Sequence, residues 1–96
     1  MNYAIKDWKP YYKNTLRGFF TMQLLDAGIE IRDCMLHEKN TGKWINLPAK
    51  PMVNPNGTAK IGENGKVKYV YVIEYYDKNK YDEMQEKVIK ELEKIL

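Results

Sequence analysis

Cationic and aromatic side chains lie close together at two places in the sequence. Arg17 is two residues from Phe19, and Lys43 directly precedes Trp44. Single-stranded nucleic acid is bound by this combination, because cations neutralise phosphates while aromatic rings stack on unpaired bases. These residues therefore predict a nucleic-acid surface. The alternative is that Phe19 and Trp44 pack under a helix or against a partner, and that the lysines are only solvated.

Most of the remaining candidate cations lie in the middle of the chain. Residues 39–68 hold six lysines against the single acid Glu63, although the net charge of the whole chain is only +3. A local excess of lysine is typical of phosphate binding. The lysines that we expect to contact phosphates are Lys43, Lys50, Lys60, Lys66 and Lys68.

Catalytic chemistry finds little support in the sequence. The single cysteine, Cys34, and the single histidine, His37, are three positions apart, which puts them on opposite faces of a strand. We expect Cys34 to be a small buried thiol and His37 a solvated residue at a strand end. One cysteine and one histidine also fall short of the ligands of a zinc or iron site, and no phosphate-binding glycine loop precedes a helix. The sequence predicts no enzyme, no metal, no cofactor and no small-molecule substrate.

The elements that must position these residues begin with a hairpin. β-Branched and aromatic residues recur at period two over residues 15–25 and 29–36, on either side of a turn at Asp26-Ala27-Gly28. The first strand carries Phe20 and Met22 on one face, and Arg17 and Phe19 on the other. A shift of the apolar phase in the second strand predicts a β-bulge near residues 32–33. Residues 3–8 predict an edge strand that stops before Pro10.

The second half of the chain changes character twice. After a turn at residues 40–42 and a short strand over 44–47, residues 48–66 are rich in Pro, Gly, Asn and Lys and predict a long, mobile, basic loop. Residues 63–66 could close a small hairpin inside it. Residues 67–76 are apolar or aromatic on both faces, which is typical of a strand that is central or buried at a subunit contact.

A helix ends the chain. Tyr81, Met84, Val88, Leu92 and Ile95 form one helical stripe, which predicts an amphipathic helix over about 79–95 with Asp77 or Asn79 as its cap. The predicted fold class is therefore α+β, with an antiparallel β-sheet of about five strands and one C-terminal amphipathic helix. At 96 residues and 11.4 kDa, the chain is expected to form a single domain.

The composition of the chain bears on the compartment in which the protein is found. Hydrophobic residues make up 44% of the chain, more than a disordered segment carries, and no run of 18 apolar residues occurs. A single cysteine allows no internal disulfide, and no signal peptide is visible. The expectation is a cytoplasmic protein without a membrane role.

Residues 29–50 resemble the stage V sporulation protein G (SpoVG) family. The similarity lies in the segments IEIRDCML and NTGKWINLPAK, in which Gly42, Trp44, Pro48 and Lys50 match the most specific part of the family pattern. Residues 5–9, 16–25 and the closing helix resemble the family more generally. The segments NTLRGF (residues 14–19) and HEK (residues 37–39) also resemble a group of short bacterial and phage proteins. Departures are Pro51, where the family usually has a second basic residue, a longer loop up to Lys66, and a more aromatic strand over 67–76.

The resemblance implies a SpoVG-like homodimer that regulates by binding DNA or RNA and has no enzymatic activity, with Lys50 carried over as a nucleic-acid-binding residue. The ligand favoured by the residues themselves is a single strand. The alternative function is a dimeric protein–protein interaction module that does not bind nucleic acid, in which exposed strand edges and aromatic faces bind another protein. Salt separates the two, because phosphate binding weakens steeply with added salt.

Overall fold

Two antiparallel sheets and one helix make up the chain. The computed structural model describes residues 1–96. A four-stranded sheet has the order β1-β2-β3-β4, and β5 and β6 form a separate two-stranded sheet. The α+β class, the antiparallel pairing and the closing helix are confirmed. The elements are β1 (Tyr3–Lys13), β2 (Leu16–Leu24), β3 (Ile29–Lys39), β4 (Gly42–Asn46), β5 (Ala49–Pro51), β6 (Tyr69–Tyr71) and α1 (Lys78–Glu93).

The predicted hairpin is formed by β2 and β3. Leu24 pairs with Ile29, and the Gly28 amide donates to the Leu24 carbonyl at 2.9 Å. Gly28 has a φ of 68°, a left-handed conformation that costs glycine little. The predicted bulge is confirmed as well, because Arg32 and Asp33 together lie opposite one residue of β2, and the left-handed φ of Asp33 is 61°.

The first strand extends further than the sequence predicts. Rather than stopping before Pro10, β1 continues to Lys13, with Pro10 opposite Gly18. The strand lies at the edge of the sheet, where a residue without an N–H is tolerated. A bulge at Asp7, whose φ is 56°, shifts the register before the proline. The edge position was therefore predictable, whereas the end of the strand was not.

The core lies between α1 and one face of the four-stranded sheet. The helical stripe is confirmed at its centre, where Met84, Val88 and Leu92 are completely buried, while Tyr81 and Ile95 at its ends are exposed. Asp77 caps the helix, since its Oδ1 accepts from the amides of Asn79 and Lys80 at 2.9 and 3.2 Å. The buried sheet residues that complete the core are Tyr3, Phe20, Met22, Ile31, Cys34, Leu36, Ile45 and Leu47.

Residues 48–72 form a projection, which we call the arm, and here the prediction of a long irregular loop is corrected. Three short segments, residues 51–53, 59–61 and 67–69, pair with one another in turn. The central residues of the segments are joined by a ring of three backbone hydrogen bonds. The Met52 amide donates to the Lys68 carbonyl at 2.8 Å, the Lys68 amide to the Lys60 carbonyl at 2.9 Å, and the Lys60 amide to the Met52 carbonyl at 2.8 Å. The small hairpin predicted at residues 63–66 is one branch of this three-way junction.

The arm has no core of its own, because no residue between Pro48 and Glu83 is buried. The strand predicted over 67–76 is reduced to β6, and its side chains are exposed rather than central within this chain. Burial of this strand at a subunit contact stays a prediction. Tyr75 returns the chain to the sheet, with its hydroxyl 3.2 Å from that of Tyr3. No helix of the protein has both the length and the apolar character that crossing a membrane requires.

Candidate nucleic-acid interface

The face of the four-stranded sheet opposite α1 carries no covering element, and we call it the open face. Side chains alternate between the two faces of a strand, so the residues facing away from the core can be followed across the sheet. One row runs from Lys9 through Phe19 and Met35 to Asn46, and His37 pairs with Trp44 in the next row. The open face therefore presents aromatic, apolar and cationic side chains next to one another.

Two ring pairs organise the aromatic part of this face. The rings of Tyr11 and Phe19 lie 5.9 Å apart at an angle of 53°, and those of His37 and Trp44 are stacked at 5.2 Å and 8°. Phe19 and Trp44 are half-buried in these pairs, while Tyr11 is 52% and the neighbouring Tyr12 73% exposed. The rings most available to a base are thus the two tyrosines, with Phe19 and Trp44 supporting the surface.

Sequence reasoning missed Tyr11 and Tyr12 because it ended β1 before Pro10. It also missed Lys39, whose Nζ lies 5.7 Å from the centre of the Trp44 ring. The two aromatic residues that directly follow the proline would have been the signal for a longer strand, since an edge strand can contain proline.

Arg17 and Lys43, the two cations that lie near aromatic residues in the sequence, differ in how available they are to a phosphate. The Arg17 guanidinium lies 5.8 Å from the centre of the Tyr12 ring, donates to the carbonyls of Asn14 and Leu16, and is 3.8 Å from Glu38. Arg17 therefore lies beside an exposed ring at the end of the β1–β2 hairpin, although a carboxylate shares its charge.

Lys43 and Trp44, although adjacent in sequence, lie on opposite faces of β4. The Nζ of Lys43 is 3.2 Å from a carboxylate oxygen of Glu93 on α1, while the Trp44 ring stacks on His37. Trp44 is consequently not packed under the helix, which was the alternative considered for it. The structure does not bring Lys43 and Trp44 together as one cation–aromatic pair.

His37 differs from the solvated residue that the sequence predicts. Its Nδ1 is 2.9 Å from the Thr15 hydroxyl oxygen, and its Nε2 is buried without a hydrogen-bond partner. Burial, and to a smaller extent the positive charge of Arg17, lowers the pKa of His37 below its ordinary value. The ring is therefore neutral at pH 7 and contributes stacking rather than charge.

Cys34 is the small buried thiol that the sequence predicts. It is completely buried in the core, and its Sγ lies 3.4 Å from the Ile31 carbonyl oxygen. Burial raises the pKa of Cys34 to about 12, so the group is an unreactive thiol at neutral pH.

The arm carries the other four predicted cations, Lys50, Lys60, Lys66 and Lys68. All four are exposed and none forms an ion pair, in contrast to Arg17 and Lys43. Lys50 pairs with Val70 across the ribbon of β5 and β6, which places it on the face opposite Tyr69 and Tyr71. The arm is therefore a projecting ribbon with unneutralised positive charge.

No three His, Cys, Asp or Glu side chains are grouped in the way a metal centre requires. Comparisons with protein-family models, with curated proteins and with solved structures find no match to this chain. The similarity to the SpoVG family thus stays a prediction from the residues that carry it.

Proposed function

We propose that the protein binds single-stranded nucleic acid, DNA or RNA, and acts as a regulator in the cytoplasm rather than as an enzyme. The observation that carries the proposal is the exposed end of the β1–β2 hairpin, where Tyr11 rests on Phe19 of the open face and Tyr12 lies beside Arg17. The lysines of the arm supply further charge without carboxylates to compete with phosphate.

Exposed rings favour a single strand over a duplex. In a duplex the bases stack on one another, whereas an unpaired base can stack on a protein ring with a gain of about 1–3 kcal/mol. The open face is supported from within, because Tyr11 rests on Phe19 and Trp44 on His37. Such preordered rings lose little side-chain entropy when a base binds.

Fluorescence anisotropy with labelled single-stranded DNA, single-stranded RNA and duplex DNA tests the proposal at low and moderate salt. We expect micromolar or tighter binding to a single strand, weakening as salt is added, and weaker binding still after Tyr12→Ala. Tyr76→Ala is a matched control, because Tyr76 is even more exposed than Tyr12 but belongs to the linker before α1. The absence of binding to any of the three ligands at low salt would contradict the proposal.

The second candidate is a homodimeric protein-interaction module, and the exposed apolar residues of the arm favour it. Tyr69, Val70, Tyr71 and Val72 are consecutive and all exposed, and Ile73, which directly follows the arm, is exposed as well. The accessible surface of 6970 Å² exceeds by about 1200 Å² that of a compact monomer of this mass. One partner of a stable dimer buries about 800 Å² or more, so an interface of ordinary size would cover most of the excess.

Sedimentation velocity over a range of protein concentrations tests this candidate. A dimer that persists at high salt and dissociates after Val72→Lys is the expected result, because apolar interfaces respond little to salt while a buried lysine is costly. A monomer at all concentrations would contradict it. Dimerisation and nucleic-acid binding are compatible, and the anisotropy experiment decides whether the second accompanies the first.

A further inference from the structure

A recess of about 470 Å³ lies where the arm meets the four-stranded sheet. It is lined by Met35 and Asn46 from the open face, by Leu47 and Ala49, and by Tyr69 and Tyr71 from β6. Its size falls within the range of small-ligand pockets. None of its lining residues is charged, so it is a mainly apolar recess with few polar groups.

Asn46 supplies the amide of this recess. It is the last residue of β4, pairs with Met35 and is half-buried. Its side chain takes part in none of the side-chain hydrogen bonds of the protein, in contrast to the equally half-buried Gln85, whose amide holds the backbone of Ile45. An amide presents a donor and an acceptor side by side, which is the pattern on the edge of a nucleobase.

Two tyrosines supply the flat surfaces. Tyr69 and Tyr71 lie on the same face of β6, so their Cα atoms are about 6.7 Å apart. A planar base is about 3.4 Å thick, so one base can enter alongside these rings. Both tyrosines are exposed, and neither belongs to a ring pair within the chain.

Positive charge lies on both strands of the ribbon, on the face opposite Tyr69 and Tyr71. Lys50 directly follows Ala49, and Lys68 directly precedes Tyr69. Neither lysine is in an ion pair. The phosphates next to a base held in the recess would therefore meet these unneutralised cations where the strand passes round the edge of the ribbon.

We propose that this recess binds one unpaired nucleobase of a single strand, with Asn46 hydrogen-bonding to the base edge and with Tyr69 and Tyr71 stacking on the ring. The inference rests on the proposed function and adds a base-reading subsite to it. The open face and the arm then engage the same strand, with the recess between them. A paired base cannot occupy the recess, because its edge is already hydrogen-bonded.

Oligonucleotides with and without bases test the inference. Affinities of 12-mers of deoxyadenosine, thymidine and deoxycytidine are compared with that of an abasic 12-mer of equal phosphate number, by fluorescence anisotropy. Tyr71→Ala is expected to weaken binding of the base-containing oligomers about 5- to 100-fold and to leave the abasic oligomer unchanged. Asn46→Ala is expected to reduce the differences in affinity among the three bases.

Control variants show whether weaker binding comes from the loss of a contact to the base or from unfolding of the variant. Tyr71→Phe keeps the ring and is expected to retain wild-type affinity, and Asn79→Ala removes an exposed amide on α1 that forms no side-chain hydrogen bond. Each variant is also melted by circular dichroism. An unchanged melting temperature with the selective loss described above supports the inference.

Three outcomes would overturn it. Wild-type affinity of both Tyr71→Ala and Asn46→Ala for every oligomer would remove the recess from the interface while leaving the proposed function intact. Equal loss for abasic and base-containing oligomers, together with conversion of a dimer to a monomer, would show that a second copy of the chain covers the recess. Failure of the wild-type protein to bind any single strand would refute the proposed function, and the recess with it.

Discussion

Gly18 shows how one residue can be required for space rather than for backbone conformation. It is buried in β2 and does not have a positive φ. A Cβ at this position would lie 2.5 Å from Cη2 of Trp8 and 2.6 Å from the carbonyl oxygen of Lys9. The second of these atoms belongs to the backbone of β1, so the strand itself would have to move.

Gly18→Ala is expected to destabilise the fold by about 1–3 kcal/mol, as overpacking of an ordered interior does. Urea unfolding followed by circular dichroism measures the change. Gly62→Ala is the matched control in the arm, where the nearest atom to a new Cβ is a side-chain oxygen of Asn64 at 3.3 Å. The control is expected to stay within about 0.5 kcal/mol of wild type. Equal stability of the two variants would show that Gly18 is not required for space beside β1.

At the scale of elements, one side chain takes the place of a neighbouring strand beside β4. β4 is the edge of the four-stranded sheet, so its outer backbone groups lack a strand partner. Gln85 of α1 accepts from the Ile45 amide with Oε1 and donates to the Ile45 carbonyl with Nε2, each at 2.8 Å. This pair satisfies both backbone groups and fixes the helix on the sheet.

Gln85→Ala is expected to cost about 1–3 kcal/mol, because the amide and carbonyl of Ile45 lose their partners in a half-buried position. Gln85→Glu keeps the acceptor but places a carboxylate oxygen against the carbonyl. Its deficit relative to wild type should be smaller at pH 4 than at pH 7, since a protonated carboxyl can donate again. Thermal melting at both pH values measures the loss of stability, with Glu86→Ala at an exposed position as the control. A loss for Gln85→Glu that does not depend on pH would show that residue 85 does not donate to the Ile45 carbonyl.

The arm is an element held together almost entirely by backbone hydrogen bonds. Its three-way junction contains no buried residue, so its opening exposes little additional apolar surface. Regions of this kind open locally at low free energy compared with the core.

Native-state hydrogen exchange is expected to show this difference directly. The amides of Met52, Lys60 and Lys68 should exchange well before those of Phe20 and Met22 in the core, although all are in hydrogen-bonded backbone. Exchange is followed by NMR in the absence of nucleic acid. If the arm amides were protected as strongly as those of β2, another part of the assembly would have to cover the arm.

At the scale of the whole molecule, charge and shape act together. The molecule measures 43 × 31 × 25 Å, and its radius of gyration of 14.8 Å exceeds the value of about 12.5 Å expected for a compact chain of this length. The arm is the extended part that lacks a core, and it carries four lysines without ion pairs. By contrast Lys78, Lys90 and Lys94 of the helical end each contact a carboxylate.

Neutralising lysines of the arm should therefore affect nucleic-acid binding more than neutralising lysines of the helical end. The triple variant Lys50→Gln, Lys60→Gln and Lys66→Gln is expected to weaken binding to a single strand and to lower the slope of log affinity against log salt by about 2. The triple variant Lys78→Gln, Lys90→Gln and Lys94→Gln changes the net charge by the same amount. We expect it to change the affinity and the salt slope much less than the arm variant does. Identical salt slopes for the two variants would place the phosphate contacts outside the arm.

The elements whose signal is a local period were predictable from the order of the amino acids alone. Alternation predicted the hairpin of β2 and β3 together with its bulge, and the helical stripe predicted α1, because apolar periodicity directly reflects which face of an element meets the core. The buried state of Cys34 followed from its residue type, because a free cysteine is among the most often buried residues. The types of the candidate site residues, cations beside aromatic rings, were also legible in the sequence.

The way in which these residues are combined depends on contacts between distant parts of the chain. The three-way junction of the arm has no apolar period and depends on backbone pairing between residues as far apart as Met52 and Lys68. Long-range pairing likewise carries β1 past Pro10 and brings Tyr11 against Phe19. Whether a lysine is available to a phosphate depends on which carboxylate the fold places beside it, and this distinguishes Lys43, held by Glu93, from Lys50 in the arm.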